Sequence, residues 1–150
     1  ALNGDGNYPG TLAIIDDYGM TKSGNLAHYY SGISYLHLGK YEKAIAHLKD
    51  FSSDDVVVSA VATGAIGDAY WEKGNAEEAA NYYMEAARMR DNDFSSPIYL
   101  QKAGLAYEEL QAYEDALDAY EKVKKQYPQS REARDIDKYI ARVEKMMEEE

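Results

Sequence analysis

Small, bulky and polar positions recur in one order at three places along the chain. The stretches are G-I-S-Y-L-H-L-G-K-Y-E-K-A-I-A-H-L from Gly32, G-D-A-Y-W-E-K-G-N-A-E-E-A-A-N-Y-Y from Gly67 and G-L-A-Y-E-E-L-Q-A-Y-E-D-A-L-D-A-Y from Gly104. They align without gaps on Gly32, Gly67 and Gly104, then Tyr35, Tyr70 and Tyr107, then Ala44, Ala79 and Ala116, then Leu48, Tyr83 and Tyr120. The pattern predicts a helix, a tight turn and a second helix in each copy. A glycine inside a helix costs about 0.5–1 kcal/mol relative to alanine, so its return at one position implies close approach of the partner helix. The small alanine on the second helix faces that approach, and the tyrosine and the later bulky residue fill the gap on either side.

The same frame reaches the opening residues. Gly6, Asn7 and Tyr8 take the places of Gly39, Lys40 and Tyr41, with Thr11 in the slot of Ala44, Ile15 in that of Leu48 and Tyr18 in that of Phe51. N-G-D-G-N is then a turn, T-L-A-I-I-D-D-Y is a second helix, and Pro9 falls in its first turn, where the missing N–H matters least. Only Ala1 to Gly4 are left for a first helix, and the chain starts without Met, so residues 1–24 are expected to be the remnant of a truncated or processed repeat. The turn positions Gly6, Gly39, Gly74 and Gln111 lie 33, 35 and 37 residues apart, which puts the extra residues in loops between repeats. In one such loop Ser96 is expected to cap and Pro97 to open the next helix. In another Ser53 is the expected cap, with Asp54 and Asp55 in the first turn. Val56 to Val58 read as helix because Val57, Val61 and Gly64 continue at helical spacing.

After Tyr127-Pro128 the pattern changes to a single amphipathic helix over 130–150, with Ala133, Ile136, Ile140, Val143 and Met147 on one stripe. It lacks the glycine that would begin another packed pair. A terminal helix with a polar outer face is what an array needs as its cap, and the stripe is too short for a coiled coil. The closing Glu148 to Glu150 oppose the helix dipole and are expected to fray.

Composition narrows the function classes. The 150 residues include 27 acidic and 16 basic ones, for a formal net charge of −11, which repels phosphate backbones and anionic headgroups. Nucleic acid is therefore excluded as an expected partner. There is no cysteine, so disulfides and thiolate metal sites are absent. No apolar run in these residues approaches the roughly 20 needed to span a bilayer, and they hold no signal-peptide pattern.

Candidate chemistry adds little. Asn3, Asp5 and Asn7 alternate like the first oxygen ligands of a calcium loop, but counting from Asn3 the sixth position is Tyr8 instead of glycine and the twelfth is Ile14 instead of glutamate. His28, His37 and His47 lack the i, i+3 or i+4 spacing of a helical metal site and are expected at the surface or in a groove. Asp16-Asp17 and Asp54-Asp55 are sequence neighbours, so on a helix they point apart and read as solvated faces or helix starts. No nucleophile elbow, phosphate loop or cysteine nucleophile is present. The sequence thus predicts no catalytic residue, no metal and no cofactor. The 15 tyrosines could stack on sugars, but those at the repeat positions already have a packing role.

The repeated order resembles the tetratricopeptide repeat, whose signature is Trp-x2-Leu-Gly-x2-Tyr, then Ala-x3-Phe, then Ala and Pro. The likeness covers residues 25 to about 128. It implies an all-α fold: a right-handed superhelical array of antiparallel helix pairs, with repeats at 25–59, 60–96 and 97–129 in one domain with the remnant and the capping helix. In that family the first helices line a concave groove that holds a peptide or helix of a partner protein. Carried over by position, the lining would be Leu26, Tyr29, Ile33 and Leu36, then Val61, Asp68 and Trp71, then Ile98, Gln101, Leu105 and Glu108. A branch of the family clamps a terminal carboxylate with Lys and Asn, whereas this chain has Tyr29, Ile33, Gly64 and Asp68 at those places. The expected groove is apolar with an acidic rim, suited to an apolar or mildly basic protein segment. G-N-Y-P-G, N-L-A-H-Y-Y and Y-P-Q-S further resemble bacterial tetratricopeptide proteins held by an N-terminal membrane helix, some near the export translocon. That resemblance implies an envelope location, with a cytoplasmic one as the alternative. Two other classes stay open: a homo-oligomer formed through the exposed helix 11–18, and a carbohydrate-binding envelope protein.

Overall fold

Helix succeeds helix throughout the computed structural model, which describes residues 1–89 and 92–149. Asp91 of the D-N-D-F-S-S-P loop and Glu150 of the closing glutamates lie outside these residues. The helices are α1 (Thr11–Tyr18), α2 (Lys22–His37), α3 (Tyr41–Asp50), α4 (Val56–Glu72), α5 (Ala76–Met89), α6 (Ser96–Glu109), α7 (Tyr113–Gln126) and α8 (Ile136–Glu148), with a 3-10 turn at Glu132–Arg134. Each packs on the one before and the one after it. The result is an α-solenoid of antiparallel pairs, α2–α3, α4–α5 and α6–α7, with no strand among the described residues.

The repeated glycines are where each pair closes. A Cβ on Gly32 would lie 2.5 Å from Leu48 Cγ, on Gly67 2.7 Å from the Tyr83 ring, and on Gly104 2.3 Å from the Tyr120 ring. The bulky residue therefore sits directly on the glycine, not beside it as the sequence pattern suggested. Ala44, Ala79 and Ala116 are fully buried on the same contact. Burying each of Leu48, Tyr83 and Tyr120 contributes about 1.5–3 kcal/mol, which outweighs the intrinsic cost of a helical glycine. The core runs in two stretches, one from α2 to α4 and the other from α4 to α8, with Tyr70 packed against both.

The turns within the pairs require a left-handed residue. Gly39 and Gly74 supply it at φ 68° and 79°, but the third turn places Gln111 there at φ 58°. A side chain pays a steric cost in this region that glycine avoids. Gln111→Gly is accordingly expected to raise stability by about 0.5–1 kcal/mol in urea unfolding.

Four local expectations are corrected. The first helix starts at Thr11 with Gly10 as N-cap, so Pro9 lies outside it. The Asp5 carboxylate explains this, because Oδ1 accepts from the Asn7 and Tyr8 amides at 2.9 and 3.0 Å and holds those residues in a side-chain-closed turn. The left-handed glycine of that segment is Gly4, at φ 69°, instead of Gly6, so the repeat frame slips there. Before α4 the cap is Asp55, whose Oδ1 accepts from the Val57 and Val58 amides, while Ser53 accepts from the Asp55 amide one step earlier. Before α6 the N-cap position is Ser95, and the Ser96 hydroxyl turns inward to donate to the Ala87 carbonyl at 3.0 Å. Asn92 shapes that loop by accepting from the Phe94 and Ser95 amides.

At the other end α8 closes the array. Ile136 and Val143 are buried, Tyr139, Ile140 and Met147 are half-buried on the same stripe, and Asp137, Lys138, Glu144 and Lys145 face solvent. Among the described residues no helix is long and apolar enough to cross a membrane.

Candidate binding groove

The first helices of the pairs, α2, α4 and α6, line one side of the solenoid. Their C-terminal halves enclose an open cavity of about 650 Å³, lined among others by Leu36, His37, Tyr41, Asp68, Trp71, Glu72, Lys102 and Leu105. A second cavity of about 560 Å³ adjoins it, lined by Trp71, Leu105, Glu108, Glu109, Gln111, Tyr113, Arg142 and Met146. Trp71 and Leu105 belong to both and form the ridge between them, 38% and 36% exposed.

The N-terminal halves of the same helices are filled from within. Gly64 leaves a hollow on α4 that Tyr99 of α6 occupies, since a Cβ at Gly64 would lie 2.0 Å from Tyr99 Cε1. Burial there, reinforced by the Asp68 carboxylate, pushes the Tyr99 hydroxyl up to about 12. Of the residues expected to line the groove, Leu36, Asp68, Trp71, Leu105 and Glu108 meet at the two cavities. Leu26, Tyr29, Ile33, Val61, Ile98 and Gln101 line neither. Tyr29 instead packs on Phe51 with ring centroids 5.2 Å apart, Ile33 packs against the core, and Leu26 is exposed to solvent.

Two carboxylates in the groove are held by a repeated arrangement. Tyr83 Oη donates to Asp68 Oδ1 at 2.7 Å, and Lys102 Nζ of the next pair donates to the same oxygen at 2.6 Å. One repeat on, Tyr120 Oη donates to Glu108 Oε1, and Arg142 Nη2 of α8 reaches that oxygen at 2.6 Å. The first pair has Leu48 at the tyrosine position and no such link. Burial, followed by the adjacent carboxylate, drives both tyrosine hydroxyls well above the ordinary phenol range, so they act only as neutral donors. Asp68 and Glu108 are thereby compensated. Glu72 and Glu109 are exposed, and among the described residues Glu72 has only a 3.5 Å contact from the Tyr41 hydroxyl.

The sequence pattern pointed to neither cation. Lys102 lies one position past Gln101, which was expected to line the groove and does not, and Arg142 comes from the capping helix, which carried no expectation of a groove role. Glu72 and Glu109, directly after Trp71 and Glu108, were within reach of the repeat register. Among the described residues no three His, Cys, Asp or Glu side chains converge as a metal site would need.

His37 lines the larger cavity, but His28 and His47 are placed otherwise than expected. They face each other between α2 and α3, with Nδ1 atoms 3.2 Å apart and Tyr35 stacked on His47. The two positions lie 19 residues apart across the turn, beyond the reach of a one-helix spacing search. Desolvation, then the neighbouring His28 ring, holds His47 below the usual imidazole value, with Lys43 adding to this and Asp50 opposing it. A base with a depressed folded pKa leaves the unfolded chain binding more protons, so stability is full above about pH 6.5 and falls as the pH drops below it. Melting temperature is expected to fall between pH 7 and pH 5, and less steeply in His47→Gln. Parallel pH profiles for the two proteins would contradict this.

Two family models, both for the tetratricopeptide repeat, match residues 26–54 and 65–131. Together these stretches cover more than half of the chain, which belongs to the tetratricopeptide-repeat family. No curated protein matches it. Among solved structures, it is similar to the first TPR of Spaghetti (RPAP3), bound to the HSP90 peptide SRMEEVD, at 22% identity and a TM-score of 0.63, over 82% of this chain and 92% of that one. At this identity the likeness is one of fold.

Proposed function

We propose that this chain is a non-catalytic scaffold that captures a segment of a partner protein on the ridge formed by Trp71 and Leu105. The observation that carries the reading is the position of that ridge, where two exposed apolar side chains form the shared wall of two open cavities. Exposed aromatic anchors bordered by pockets are the usual centres of protein recognition. The peptide held by the structural neighbour is rich in acidic residues, and the four carboxylates at these cavities, two of them without a cation among the described residues, argue against the same ligand class here. An apolar, mildly basic segment suits the charge better.

Trp71 is the only tryptophan and so reports on its own site. Titration with apolar-basic peptides is expected to shift its emission to the blue and to saturate, while acidic peptides leave it unchanged. Unchanged emission with every peptide, alongside binding seen by another method, would place the interface elsewhere.

A self-assembly role is the second reading. α1 buries no residue completely, and Leu12, Ile14 and Ile15 remain half-exposed. A sedimentation profile that stays monomeric at high concentration would remove it. The envelope setting rests on the resemblance of G-N-Y-P-G, N-L-A-H-Y-Y and Y-P-Q-S alone. It is tested by fractionating cells that express the complete gene product, where recovery solely in the soluble fraction would sink it.

A further inference from the structure

Resting on the groove reading, we propose that the partner segment is dibasic, with one Lys or Arg on each side of the Trp71–Leu105 ridge. The two cavities are built alike. Each holds one compensated carboxylate at a tyrosine, Asp68 with Lys102 in the first and Glu108 with Arg142 in the second. Among the described residues each then has one further carboxylate that no cation reaches, Glu72 in the first and Glu109 in the second. These occupy the same repeat position on α4 and α6, the residue two before the turn glycine Gly74 and its counterpart Gln111.

The apolar wall that both cavities share suits the rest of a basic side chain. Lys and Arg lay their methylene stems along apolar surface while the charged head reaches a carboxylate, and a cation beside an indole face gains a further attraction. A neutral apolar segment would cover Trp71 and Leu105 but leave Glu72 and Glu109 partly desolvated without a partner. An acidic one would meet like charge in both cavities.

The separation of the two basic residues follows from the array. Tyr99 packed into the Gly64 hollow shows that α4 and α6 are in contact, and packed helices lie about 8–10 Å apart. A polyproline-like segment rises about 3.1 Å per residue with three residues per turn, so residues three apart project along one edge and span about 9 Å. The expected spacing is Lys/Arg-x-x-Lys/Arg with apolar intervening residues.

The test is a set of fluorescent peptides with a fixed apolar frame in which two positions, one to six residues apart, are Lys, Gln or Glu. Binding to the wild-type chain, Glu72→Gln, Glu109→Gln and Trp71→Ala is measured at two salt concentrations. The three-residue Lys pair is expected to bind at least 10-fold tighter than its Gln counterpart and to weaken with salt. Each Glu→Gln change should remove about one lysine's share, so that Glu109→Gln makes the peptide indifferent to one of the two lysines. Equal binding of the Lys and Gln peptides, both lost in Trp71→Ala, would overturn the dibasic proposal and leave the groove reading intact. Binding untouched by Trp71→Ala would overturn both.

Discussion

Replacing Tyr120 by alanine is expected to cost about 3–5 kcal/mol, the largest loss any single truncation in this array should produce. The side chain is fully buried, lies on Gly104 and donates its hydroxyl to Glu108. Its removal opens a cavity at the α6–α7 contact and at the seat of α8, where Tyr139 packs on it with ring centroids 5.3 Å apart. Tyr120→Phe separates the two contributions. It keeps the packing and gives up one hydrogen bond, whose acceptor Glu108 retains Arg142, so a loss of about 1 kcal/mol is expected. Urea unfolding of both variants checks the order. A Tyr120→Ala loss no larger than that of Tyr120→Phe would mean that the glycine–tyrosine contact does not hold the pair.

Trp71→Ala should have the opposite profile. The side chain is 38% exposed and its loss leaves the buried core unchanged, so melting should move little. If the ridge is the anchor, affinity for the partner segment falls by about 2 kcal/mol or more, roughly 30-fold. Calorimetry on the same preparations measures both quantities. An unchanged affinity, or a melting loss as large as that of Tyr120→Phe, would remove Trp71 from the binding role and assign it to packing.

The helices and their pairing were legible because the repeat restates them. Gly32, Gly67 and Gly104, with Ala44, Ala79 and Ala116, carry the same steric demand each time, and one copy corrects noise in another. Helix starts were less legible. Ser53 and Ser96 have the residue type of a cap, but Asp55 is the better acceptor two residues closer to α4, and the Ser96 hydroxyl found a buried carbonyl instead. Both outcomes depend on three-dimensional neighbours. The opening turn slipped because the Asp5 side chain closes it in a way no other repeat does.

The groove was half legible for a related reason. Family register names the positions that face it but does not say which are filled. Gly64 stands at a groove-facing place of the register, and Tyr99 from the next repeat occupies the space its missing side chain leaves. The cations at Asp68 and Glu108 come from Lys102 and Arg142, each 34 residues on, at positions given no groove role. The His28–His47 pair escaped notice in the same way, across a turn instead of along one helix.

The central claim is that the Trp71 ridge is the working surface. Its most direct test is site-specific photocrosslinking in the native cell, with the probe at position 71 and a control at Glu121 on α7, a half-exposed residue paired with Lys125 and outside both cavities. The account expects a discrete protein adduct from position 71 and none from position 121. The same adducts from both positions, or none from either while the partner still co-purifies, would contradict it.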